Sequence, residues 1–169
     1  MKEATFEDTY QINLVASFLL DHPEIFTINY DLDTLSYCFS FMIKDKITVD
    51  RYRQFCKRMV EIWNSYCHFL KTEASGIKFC KDYYQGLTRL DLYFAKDPLT
   101  REEVNLVSSV ITDNFGADLV DDYRKEPLDF LVDSRPEDDY LEYLLIQGEK
   151  KVKTLFAFRE EGKVYVLNK

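Results

Sequence analysis

Apolar residues recur along this chain with two periods, and the switches between them divide it into helices and hairpins. From Thr5 to Leu20, Tyr10, Leu14, Val15, Phe18 and Leu19 form one helical stripe, with Thr5 and Asp8 as the cap. The same stretch also alternates (Ile12, Leu14, Ala16, Phe18, Leu20), but its length favours a helix that His22-Pro23 ends. Phe26, Ile28 and Tyr30 alternate next, DLDT turns the chain, and Leu35–Ile43 completes a hairpin. Thr48 opens a long helix whose stripe runs Tyr52, Phe55, Cys56, Met59, Trp63, Tyr66, Cys67 and Leu70, ending at Ser75-Gly76.

The second half repeats the plan. Ile77–Tyr84 and Leu87–Lys96 form a hairpin turning at Gln85-Gly86, with Leu90, Leu92 and Phe94 on one face and Arg89 and Asp91 on the other. Thr100 with Glu103 is a capping box, and Val104, Val107, Ile111 and Phe115 mark the buried face of the next helix. Gly116 breaks or bends that helix before Ala117–Tyr123. Arg124–Pro136 is an irregular connection whose LDFLV should dock on the core. Ser134 with Glu137 caps a short helix (Tyr140, Leu141, Leu144, Leu145) ending at Gly148. Val152–Arg159 and Val164–Leu167 make a third hairpin, turning at Glu161-Gly162. The pattern predicts an α+β fold, with antiparallel hairpins in one sheet and helices mainly on one face. It predicts one domain over 1–169, built from helix-plus-hairpin units at about 5–43, 49–96 and 101–168.

Leu35–Thr48 (LSYCFSFMIKDKIT) is matched at an offset of 52 residues by Leu87–Thr100 (LTRLDLYFAKDPLT), with four of 14 positions identical. The shared plan is a strand, a Lys-Asp turn, an aliphatic residue and a capping threonine. Internal duplication of residues 35–63 and 87–115 is one explanation, and convergence on the same turn and cap residues is the other. The offset aligns Leu90, Leu92 and Phe94 with Cys38, Ser40 and Met42, and aligns the polar face with Tyr37, Phe39 and Phe41. Tyr37, Phe39 and Phe41 are therefore candidates for a contact surface, with a protein partner or a second copy of the chain. Cover from within, by the first helix or Leu128–Val132, is the competing expectation.

Composition narrows the function classes. The chain is 46% hydrophobic and 15% aromatic, which supports a packed core rather than disorder. A net charge of −8 makes nonspecific nucleic-acid binding unlikely, because phosphates need a basic surface. No apolar run is long enough for a membrane span, and the acidic N-terminus does not read as a signal peptide, so no membrane role is expected. Four cysteines without close pairing point to a cytoplasmic protein.

Candidate chemistry is sparse. The five glycines fall at expected turns or helix ends, and no phosphate-binding loop or nucleophile elbow is present. Cys56 and Cys67 lie inside an apolar stripe, so they read as core rather than metal ligands. His68 lies on a polar helix face. No metal or cofactor is expected. Residues 118–142 hold ten acidic residues against three basic ones, giving an acidic patch of Asp118, Asp121, Asp122, Glu137, Asp138 and Asp139. Such a run is a solvated face, a docking surface for a basic partner or a weak divalent-cation site, and the solvated face is the plainer reading. Arg51, Arg53, Lys57 and Arg58 form a possible basic patch on the long helix.

The sequence thus points to an acidic interaction or regulatory domain without catalytic activity. One alternative is a small-molecule binder or enzyme with an aromatic cleft between sheet and helices, walled by Trp63 with Tyr66, Tyr84 or Tyr93. The other is an acidic nucleic-acid mimic, which needs the carboxylates of 118–142 along a ridge.

Overall fold

Three helices lie against one face of a six-stranded antiparallel sheet, an α+β fold, in a computed structural model that describes residues 6–96, 98–120 and 154–168. The order is α1 (Phe6–Asp21), β1 (Thr27–Asp31), β2 (Ser36–Lys44), α2 (Val49–Phe69), β3 (Ile77–Tyr84), β4 (Leu87–Phe94), α3 (Arg101–Phe115), β5 (Thr154–Glu160) and β6 (Lys163–Asn168). A single 3₁₀ turn, Gly116–Asp118, follows α3, so the helix ends where Gly116 was expected to break it. Each hairpin follows a helix, and the sheet order is β3-β4-β2-β1-β5-β6. The second half of the expected 117–123 segment, the LDFLV connection and the short helix before Gly148 lie outside the described residues.

Local chemistry explains the joints. Gln85-Gly86 and Glu161-Gly162 are two-residue hairpin turns with positive φ at both positions, which glycine tolerates without a Cβ penalty. The Thr48 hydroxyl accepts the Arg51 N–H at 3.2 Å and starts α2. Thr100 accepts the Glu103 N–H at 3.2 Å, and Glu103 returns the bond by accepting the Thr100 N–H at 2.9 Å. Glu103 is buried, and Lys96 pairs with its carboxylate. Arg159 on β5 donates to the carbonyls of Leu19, His22, Pro23 and Ile25, tying the sheet to the C-terminal end of α1.

The core lies between the helices and one sheet face. Phe55, Met59, Trp63 and Cys67 recur every four residues on α2 and are all buried. They meet Leu90, Leu92 and Phe94 of β4, which are also buried; Trp63 packs on Phe94 with ring centroids 5.3 Å apart. Cys67 is core as expected, whereas Cys56 is only half-buried.

Tyr37, Phe39 and Phe41 belong to this same core, which corrects their assignment as a contact surface. They are 0%, 2% and 0% exposed. Residues paired across antiparallel strands face the same side, and these three pair with Phe94, Leu92 and Leu90. Phe39 packs against Phe18 of α1 at 6.4 Å and Phe94 at 5.7 Å, so the cover comes from within. The offset of 52 misled because it is even along the strands. The last inward residue of β2, Ile43, stands five positions before its cap Thr48, while Phe94 stands six before Thr100. One extra residue in the second connection reverses the inferred faces. Both threonines do cap helices, but the structure does not confirm a duplication, and Asp97 of the second Lys-Asp turn lies outside the described residues.

Candidate functional site

With Tyr37, Phe39 and Phe41 turned inward, their neighbours Cys38, Ser40 and Met42 face the opposite side of the sheet. Among the described residues, no helix packs on that side. Strand register arranges it in cross-sheet rows. One row runs Cys80, Asp91, Ser40, Thr27, Phe158 and Tyr165; the next runs Lys78, Tyr93, Cys38, Asn29, Phe156 and Leu167. In these rows the two central strands, β2 and β1, carry small side chains, with Met42 beside them on β2, while Tyr93, Phe156 and Phe158 on the flanking strands are large. The result is a trough lined by residues from β3 across to β5, with a volume of about 490 Å³.

The two walls differ. On the β3–β4 side stand Tyr84, Tyr93 and an ionic chain in which Arg89 donates to Asp91 at 3.1 Å and to Asp82 at 3.0 Å. On the β5 side the wall is Phe156, backed outside the trough by a stack of Phe158 and Tyr165, at 5.7 Å and 5.3 Å between successive ring centroids. The floor is polar. The Ser40 hydroxyl donates to Asp91 Oδ1 at 2.7 Å, and Asp91 is only 4% exposed. A buried carboxylate is costly without partners, and here serine and arginine supply them.

The trough's thiol is not poised for nucleophilic work. Burial, with Asp91 adding to it, pushes the Cys38 thiol up to about 11. The neighbouring Cys38, followed by burial, pushes the Tyr93 phenol up to about 12, and the two side chains share a hydrogen bond. Neither histidine lines the trough: His22 pairs with Glu24 at 3.1 Å beyond α1, and His68 is exposed near the end of α2. Among the described residues, no three His, Cys, Asp or Glu side chains converge on a metal position.

The other sequence candidates fall elsewhere. Trp63 is buried in the core, with its indole N–H donating to the Ser75 carbonyl at 3.1 Å, and Tyr66 packs beside it. Tyr84 and Tyr93 do line a concavity, but on the far side of the sheet from the expected cleft. Between sheet and α3 the void is about 10 Å³, room for about one water. Asp118 of the acidic patch is ion-paired to Arg51 at 3.0 Å; Asp121, Asp122, Glu137, Asp138 and Asp139 lie outside the described residues. The basic helix face is likewise engaged, with Arg58 3.5 Å from Asp113 and Lys57 4.0 Å from Glu61.

Sequence reasoning missed the trough because its walls come from strands far apart in the chain. The available signal was the run of small polar residues at alternate positions of β1 and β2. Comparison of the chain with protein-family models, curated proteins and solved structures gives no match. Among the described residues, no helix is long and apolar enough to cross a membrane.

Proposed function

We propose that this chain is a non-catalytic interaction domain that takes an amphipathic segment of a partner protein into the trough on the sheet face that no described helix covers. The observation that carries this is the arrangement of small polar residues on β1 and β2 between an aromatic wall and an ionic wall. A concavity of that kind suits a segment of a partner, with apolar side chains against Phe156 and polar ones toward Arg89 and Asp82. A volume of about 490 Å³ also suits a small organic ligand, so a compact ligand is the second reading.

Asn29 is the residue to test, because it sits on the floor and is half-buried. Peptides selected from a displayed library on the wild-type protein should lose binding to Asn29→Trp, while its circular dichroism and melting temperature stay near wild type. Retained binding to a folded Asn29→Trp would overturn the proposal. So would nuclear Overhauser contacts in the free protein between Tyr93 and residues 121–153, since the chain would then fill its own trough. Self-association abolished by Asn29→Trp would name a second copy as the occupant instead.

A further inference from the structure

We infer that the β3–β4 end of the trough is a subsite for a basic side chain, a lysine or arginine of the partner segment. This inference rests on the trough being the binding surface and specifies the chemistry it selects.

Three observations set the sign of the charge. The ionic wall contains two carboxylates, Asp82 and Asp91, and one guanidinium, Arg89. Arg89 is engaged from both sides, by Asp91 at 3.1 Å and by Asp82 at 3.0 Å, so an incoming anion would compete with two carboxylates for it. An incoming cation meets the more exposed of those carboxylates, Asp82, whose side chain is 64% exposed.

Aromatic faces stand nearby. Tyr84 and Tyr93 are both exposed, and they line the same concavity as Asp82. A cation held between a carboxylate and aromatic faces gains from both, since the ring quadrupole presents a negative face. On the other, helix-facing side of the same edge strand the chain already pairs cations with tyrosines: Lys81 lies over Tyr52 of α2 at 4.7 Å, and Lys46 over Tyr83 at 5.8 Å. The overall charge of −8 adds a field that draws basic segments in and repels acidic ones.

The test uses amphipathic peptides selected on the wild-type protein, each remade with its basic residues replaced by glutamine. Selected sequences should be enriched in lysine or arginine at one fixed position. Replacing that residue, or introducing Asp82→Asn or Tyr84→Ala, should weaken binding about tenfold, and the peptide and Asp82 changes should not add. Raising salt should shrink the Asp82 effect. If peptides bind the trough but tolerate glutamine and Asp82→Asn equally, the cation subsite is wrong while the trough stands. If no selected peptide is sensitive to Asn29→Trp, the trough itself is wrong, and the two failures remain distinct.

Discussion

Ser40 and Asp91 face each other across the neighbouring strands β2 and β4, and the serine hydroxyl donates to the carboxylate at 2.7 Å. They lie on the side of the sheet away from the helices, yet both are buried. Removing one partner leaves the other's polar group short of a bond in a poorly hydrated place. Ser40→Ala and Asp91→Ala should therefore be non-additive, with a coupling of about 1–3 kcal/mol in denaturant unfolding. Additive losses would mean that the pair does not act as a unit.

Phe39 tests the reassignment of the aromatic strand. Its ring is 2% exposed and touches Phe18 and Phe94, so truncation should open a cavity between sheet and helices. Phe39→Ala should cost about 3–5 kcal/mol by urea unfolding, and Phe39→Glu should prevent folding. A stable Phe39→Glu protein would return this face to the surface.

Arg159 holds the end of α1 and the connection that follows it through four carbonyls, those of Leu19, His22, Pro23 and Ile25. Arg159→Met keeps the aliphatic stem and removes the donors. It should cost about 2–3 kcal/mol. Amide hydrogen exchange should speed up most in Leu19–His22, and uniform acceleration across the sheet would contradict the local role.

Cys38 should make stability fall at alkaline pH. Its ordinary value of 9.0 applies when unfolded, and burial lifts it to about 11 in the folded chain. The unfolded state therefore loses its proton first. The contribution is fully present below 9.0 and is lost as pH rises through about 11. Cys38→Ser should flatten that decline and bring the tyrosinate absorbance of Tyr93 to lower pH, since Cys38 is the main cause of the Tyr93 shift. Ellman's reagent should label exposed Cys80 at once, and Cys38 and Cys67 only after denaturation. An unchanged alkaline profile in Cys38→Ser would contradict this.

Most elements were legible from periodicity because each buries its own face locally. The stripe of α2, the alternation of β4 and the caps at Thr48 and Thr100 all show within a few residues of sequence. The face of β2 was not, because nearly every residue from Tyr37 to Ile43 is buried and alternation disappears. Borrowing a face from β4 by sequence alignment then failed, since one residue more or less before the cap reverses it. The trough was hidden for a different reason. Asn29, Ser40, Tyr93 and Phe156 become neighbours only through strand pairing, which local pattern does not specify.

The most direct measurement is a chemical-shift map of the protein titrated with a peptide selected on it. Binding in the trough predicts saturating shifts at Asn29, Cys38, Ser40, Tyr93 and Phe156, with the exposed faces of α2 and α3 unmoved. Shifts centred instead on exposed helix residues such as Val60 and Phe69 would contradict it.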